Sequence, residues 1–214
     1  MSIHSLLFPT RNICYLCKDK TPSITGFTCY ECREKLVFVN KEVNVNSMYI
    51  SRTIYCLNYN RFLKELVHEF KFNRKSYLYK PFSVIMLNTI GVFKIKDIDL
   101  VLCIPIHRRK EAIRGYNQSE LLARYIAKEL GLPVLKGNLV KTRWTKEQNK
   151  LDRISRLKNL KDSFYVKNPS SFYGKKVLLI DDFITTGSTF NECAKLLMDN
   201  GAKEVIALAL TSSK

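Results

Sequence analysis

Long apolar runs are missing from this 214-residue chain, and nothing approaches the ~20 consecutive apolar residues of a bilayer-crossing helix. The longest candidate, Pro81 to Phe93, is interrupted by Asn88 and Thr89. The N-terminus, Met-Ser-Ile-His-Ser-Leu-Leu-Phe-Pro, has no basic n-region and too short an apolar stretch for a secretory signal. The expectation is a cytoplasmic protein with no transmembrane segment. Acidic residues are scarce, 19 Asp+Glu against 36 Lys+Arg, which gives a formal charge of +17 and a sequence pI near 9.6. Such a surface attracts polyanions such as nucleic acid, phosphorylated metabolites or acidic lipid. Internal repeats and low-complexity tracts are absent too, which excludes repeat arrays. What is present, 46% hydrophobic residues, suffices for a packed core of one domain with room for a small appendage.

The most informative stretch is Val177-Leu-Leu-Ile-Asp-Asp-Phe-Ile-Thr-Thr-Gly-Ser-Thr189. Val177 to Ile180 read as a strand buried on both faces, the pattern of a central parallel strand. Asp181 and Asp182 follow at once, and carboxylates at a strand end are unfavourable to desolvate unless they meet a cation, a hydroxyl-rich ligand or a solvated crevice. Thr185, Thr186, Gly187, Ser188 and Thr189 then precede an amphipathic segment with Cys193, Ala194, Leu196 and Leu197 on one face. Helix-start N–H groups, a glycine and several hydroxyls suit a doubly charged phosphate. The plain competing reading is a turn followed by an ordinary N-cap. A receiver-type phosphoacceptor pocket also pairs acids after a strand, but after its first strand, whereas only one helix and the strand Glu204 to Leu210 remain here. The stretch resembles the phosphoribosyl-pyrophosphate (PRPP) motif of type I phosphoribosyltransferases.

Four of the seven cysteines form two Cys-x2-Cys pairs, Cys14/Cys17 and Cys29/Cys32, separated by eleven residues. Two such knuckles close a tetrahedral all-cysteine site, so structural Zn(2+) is expected. Disulfides are the alternative, disfavoured where no secretion signal is present. No His or carboxylate fits as an open catalytic ligand. Residues 1–45 are therefore read as a four-cysteine zinc-finger domain whose folding free energy comes from metal binding, and 46–214 as the main domain. Cys56, Cys103 and Cys193 lie in apolar contexts and read as core.

Along the chain, Glu42 to Ser47 suits a short linker and Met48 to Tyr59 a β-rich run. Arg61 to Phe72 places Phe62, Leu63, Leu66, Val67 and Phe70 at helical spacing. A second helix is expected over Ser76 to Ile90, a buried strand over Leu100 to Ile106 and a loop over His107 to Asn117. A helix over Ser119 to Leu130 stops at Gly131. Strands alternating with helices mean crossover connections and a parallel sheet, an α/β fold. Ligands of such sheets sit beyond the carboxyl ends of the strands. The loop carrying His107, Arg108, Arg109, Lys110 and Arg114 would then face the acids across one crevice, suiting a ligand with a phosphate, a ribose and a pyrophosphate. A solvated basic turn is the alternative for that loop.

Four elements together resemble the ComF family of competence proteins. They are the four-cysteine module, Ile104-Pro105 with its basic loop, Arg114-Gly-Tyr-Asn-Gln-Ser-Glu-Leu-Leu-Ala123, and the terminal acid-and-phosphate stretch. Thr145-x2-Gln148-x2-Leu151, Arg156-x2-Asn159 and Phe164 match the same spacing. The resemblance implies a type I phosphoribosyltransferase-like parallel sheet flanked by helices, a small N-terminal zinc-ribbon-like domain, and handling of single-stranded DNA during natural transformation. It places Asp181 and Asp182 on the ribose hydroxyls, Thr185 to Thr189 on the 5′-phosphate, and Pro105 to Arg109, with Arg108 and Arg109, on the pyrophosphate, with Mg(2+) accompanying PRPP. Other DNA-uptake proteins such as a helicase are expected partners.

Residues 141–161 hold eight Lys/Arg against two acids and include Trp144, a charge pattern suited to a nucleic-acid backbone with a ring to stack on a base. Arg143, Trp144, Lys146, Lys150, Arg153 and Arg156 are the nucleic-acid candidates. No catalytic residue is assigned, because an acceptor site is not legible and the chain ends four residues beyond Leu210. An active Mg-dependent phosphoribosyltransferase and a PRPP-sensing regulator are the alternatives, the second weakened by the want of a helix-turn-helix pattern.

Overall fold

The computed structural model describes residues 12–144 and 163–213. Its frame is a five-stranded sheet in the order β1-β2-β7-β6-β3, built from β1 (Phe38–Glu42), β2 (Arg52–Asn58), β3 (Leu100–Cys103), β6 (Lys176–Ile184) and β7 (Glu204–Ser212). β2, β7, β6 and β3 run parallel, and β1 adds antiparallel to β2 at the edge. A two-stranded ribbon of β4 (Leu139–Lys141) and β5 (Phe164–Val166) lies apart from it. Sheet and flanking helices make the expected α/β architecture.

Both faces of the sheet are covered, which is why its central strands carry unbroken apolar runs. On one face Ile54, Leu178, Ile180, Ile206 and Leu208 pack with helices α2 (Arg61–Phe72), α3 (Tyr79–Val92) and α5 (Gln118–Leu130). On the other, Tyr55, Leu102, Val177, Leu179 and Ala207 pack with helix α6 (Ser188–Asp199) through Phe190, Cys193, Ala194 and Leu197. Helix α2 has the bounds its periodicity predicts, and it starts where the Asn60 side chain accepts from Leu63 N at 2.9 Å. Helix α5 ends at Gly131 in the left-handed conformation, as expected.

One local expectation is corrected. The stretch from His107 to Asn117 is not a loop throughout, because Arg108–Arg114 forms helix α4, with the His107 ring accepting from Arg109 N at its start and Gly115 at φ 85° closing it. Little apolar periodicity marks this helix, and its Ile113 is exposed. Residues 43–47 carry no helix or strand, and within them Val45 is buried beside Gly187.

The N-terminal cysteines sit in a turn-rich module with a short helix, α1 (Tyr30–Glu34). Cys14, Leu16, Cys29, Cys32 and Leu36 join the same apolar cluster as α2 and α3. Tyr15 packs on Phe27 and, edge on, on Tyr77, whose ring lies 3.1 Å from Lys18 Nζ. The sheet takes its edge strand β1 from sequence before residue 46. Among the described residues no helix is long and apolar enough to cross a membrane.

Candidate functional site

Strand β6 runs past its apolar segment, so Asp181 and Asp182 are strand residues near the carboxyl end of the sheet. Strand alternation sends their carboxylates to different partners. Asp181 Oδ1 accepts from Ser119 Oγ at 2.6 Å and from Asp182 N at 2.9 Å. Asp182 lies 2.8 Å, through Oδ2, from Lys71 Nζ at the end of α2. Burial and the neighbouring Asp182 charge push the Asp181 carboxyl up to about 7, against the opposing pull of Ser119 and Lys71. Desolvation works against the charge on half-buried Lys71, yet Asp182 and Asp181 hold its ammonium above the ordinary lysine range.

The phosphate-type loop follows. Gly187 takes φ 82°, and its side-chain-free Cα is needed twice over, since a Cβ there would lie 2.7 Å from Val45 Cγ1. Gly187 is also the N-cap of α6, so no N-cap side chain fills the helix's positive end. Thr186 Oγ1 meets Ser188 Oγ at 2.7 Å and accepts from Ser188 N at 3.3 Å. Hydroxyls and N–H groups thus gather at Thr185 to Thr189, the arrangement that favours an anion.

Strand β3 lies beside β6, paired from Leu100↔Val177 to Cys103↔Ile180, so α4 and its N-terminal Arg108 and Arg109 belong to the same sheet end as the acids. Both arginines are exposed, and among the described residues neither makes an ion pair with Asp181 or Asp182. Trp144 packs edge on against His107, centroids 5.4 Å apart, with the indole 38% exposed, and Arg143 is exposed beside it. The proposed nucleic-acid face therefore adjoins α4. Lys146, Lys150, Arg153 and Arg156 lie outside the described residues.

Sequence reasoning missed Lys71, and it gave the Arg114–Gln118 segment no physical role. Tyr116 Oη and Gln118 Nε2 both donate to the Phe70 carbonyl, at 2.6 and 3.2 Å, capping one of the carbonyls a helix end leaves without a partner. The Arg114 guanidinium covers the Phe72 ring at 5.0 Å and donates to Gln118 Oε1 at 3.1 Å. Asn117 accepts from Ser119 N at 3.0 Å and donates to the Ile104 carbonyl at 3.1 Å. The motif braces the end of α2, the end of β3 and the start of α5 against one another. A lone cation between Phe70 and Phe72 was the signal available in the sequence.

Some way along the chain, Cys14, Cys17, Cys29 and Cys32 bring four Sγ atoms within 4.8 Å of one another. Tetrahedral Zn–S bonds of ~2.3 Å put sulfurs about 3.8 Å apart, so the set fits a metal ion such as zinc. Leu16 N and Cys29 N point at Cys14 Sγ, at 3.4 and 3.3 Å. Burial works against ionisation of Cys14, but these and the Cys17 N–H bring its thiol down to about 7, whereas burial pushes Cys17 up to about 11. All seven cysteines are unbridged.

A mostly parallel sheet with an acid pair and a glycine-led, hydroxyl-rich loop at its carboxyl end defines a phosphoribosyltransferase-type fold, and the family model described as "Phosphoribosyl transferase domain" matches residues 117–213. The "DNA utilization protein YhgH" of Salmonella typhimurium is 32% identical over 158 residues, 72% of this chain and 69% of that protein. The "Competence protein ComFC" of Bacillus subtilis is 28% identical over 207 residues, 92% of this chain and 82% of that one. The chain belongs to the ComF/YhgH family of phosphoribosyl transferase domain proteins. Against the YhgH protein of Shigella flexneri the match spans 64% of the relative's length. Among solved structures, an adenine phosphoribosyltransferase from Thermoanaerobacter pseudethanolicus superposes with TM-score 0.39 and 14% identity, covering 81% of this chain and 95% of that one.

Proposed function

We propose that this chain binds PRPP at the carboxyl end of its sheet and single-stranded DNA along the adjoining basic face, and that it acts in DNA uptake. The observation that carries the reading is the joint placement of Asp181, Asp182 and the Gly187 loop at one sheet end. The ribose hydroxyls donate to the two carboxylates, and the 5′-phosphate takes the N–H and hydroxyl donors of Thr185 to Thr189. Arg108 and Arg109 supply positive charge to the pyrophosphate. Magnesium carried on that pyrophosphate offsets part of its charge when bound. The Asp181 carboxyl, held near neutrality by burial, ionises most readily when hydroxyl donors surround it.

Zinc in the four-cysteine set holds the N-terminal module against α2 and α3. The DNA role rests on the +17 charge, on Trp144 with Arg143 beside α4, and on the printed names of the competence and DNA-utilization relatives. Calorimetry with PRPP and magnesium tests the site. Binding by the unchanged chain and its loss in Asp182→Ala is the expected result, and unchanged affinity in both Asp181→Ala and Asp182→Ala overturns the assignment.

A second reading, turnover of PRPP with release of pyrophosphate, is favoured by the transferase description of the matching family model. Pyrophosphate release assayed over nucleobases and small amines decides it.

A further inference from the structure

Lys71 lies outside every motif named in the sequence, yet its ammonium meets one of the two acids. Its ammonium is 2.8 Å from Asp182 Oδ2 and 5.4 Å from the Phe183 ring centroid. The contact with Asp182 is an ion pair, not an aligned hydrogen bond. Oδ2 is buried and has no aligned donor among the described residues. A lysine ammonium carries three donor hydrogens in a tetrahedral array, so the pairing leaves directions for an incoming oxygen. The side chain keeps 21% of its surface exposed, so solvent reaches it.

The neighbours of Lys71 are held from both sides. Phe70 is held through its carbonyl by Tyr116 and Gln118, and Phe72 through its ring by Arg114. The same segment supplies Ser119 to Asp181. One stretch of chain thus braces the helix turn that carries the cation and bonds the Asp181 carboxylate, as a site that must hold a sugar bearing anionic groups requires.

We propose that Lys71 is a ligand-binding residue of this pocket, its ammonium shared between Asp182 and an oxygen of the bound sugar phosphate, with Arg114, Tyr116 and Gln118 as its positioning residues. This rests on the PRPP reading above and adds to it the cation on the sugar side of the crevice. The ligand hydroxyl that donates to Asp182 Oδ2 supplies the aligned donor that the pocket lacks. The alternative to be separated is that Lys71 does no more than neutralise Asp182.

Calorimetry with PRPP and magnesium on the full chain separates the two. Lys71→Met lowers affinity about tenfold or more, the size of one lost hydrogen bond to a charged group. Tyr116→Phe weakens binding in the unchanged chain and adds nothing to Lys71→Met. A counter-ion role needs only a positive charge near Asp182 and tolerates a small shift of the ammonium, whereas a ligand contact does not. The charged groups facing the ammonium are Asp181, Asp182 and Arg114. Weaker binding in Tyr116→Phe, which keeps every one of these charges, supports ligand contact, and unchanged affinity there overturns it. If thermal melting shows Lys71→Met unfolded, Tyr116→Phe alone decides, and unchanged affinity in that folded variant overturns the inference alone. No PRPP binding by the unchanged chain overturns the PRPP reading and this inference together.

Discussion

Ser119 Oγ donates a 2.6 Å hydrogen bond to Asp181 Oδ1, tying the first turn of α5 to the end of β6 across 62 residues of sequence. That bond stabilises the ionised carboxylate, and burial with the Asp182 charge outweighs it, so the group titrates at about 7 where an ordinary aspartate titrates at 3.8. Between these values the folded chain keeps a proton the unfolded chain has released. The contribution of Asp181 to stability is therefore full at low pH and falls as pH rises from about 4 to about 7.

Asp181→Asn removes that titration while keeping an acceptor for Ser119. Its melting temperature should exceed that of the unchanged chain by a margin that widens between about pH 5 and pH 8, by about 5 °C. Thermal melts across that range check it, and a margin independent of pH contradicts the shifted carboxyl. The same variant should lose PRPP binding, a stability gain at the expense of the site.

Gly187→Ala meets two obstacles, the left-handed backbone at φ 82° and Val45 Cγ1 at 2.7 Å. The expected destabilisation is about 2–4 kcal/mol, from strain of ~1 kcal/mol plus overpacking. Denaturant unfolding measures it, and Val45→Ala in the same chain should restore the packing part only. PRPP affinity should fall in both variants, since the backbone of the phosphate loop moves.

The four-cysteine set should carry about one zinc per chain. Cys14, Cys29 and Cys32 share an apolar cluster with Leu63, Phe70 and Phe82. Chelation or Cys32→Ser should therefore lower the melting temperature of the whole chain instead of releasing an independent module. Metal analysis beside melts with and without chelator checks both statements, and a stoichiometry far below one contradicts the zinc assignment.

Trp144 is the one tryptophan of the chain, so its fluorescence reports on its own surroundings. Single-stranded DNA should quench it, and Trp144→Ala should weaken DNA binding by about 1–3 kcal/mol if a base stacks there. Affinity should fall steeply with salt, and Arg143→Ala should reduce that slope by about 0.7 if it contacts a phosphate of the single strand. A flat salt response contradicts backbone contacts.

By itself the sequence determined what is local. Periodicity placed α2 to its residue bounds, the run Val177 to Ile180 marked a strand covered on both faces, and the Cys-x2-Cys spacing assembled four sulfurs. Each rests on chain geometry within a few residues, which residue order encodes directly. The tertiary structure alone decided that Lys71 meets Asp182, that Tyr116 and Gln118 cap α2, and that β1 closes the sheet edge. Helix α4 was hidden for a related reason, because a seven-residue helix with Ile113 exposed buries too little to print an apolar pattern. Contacts such as that between residues 71 and 182 depend on which strands become neighbours. That order is settled by burying both faces of one sheet at once, a property of the whole chain that no single segment carries.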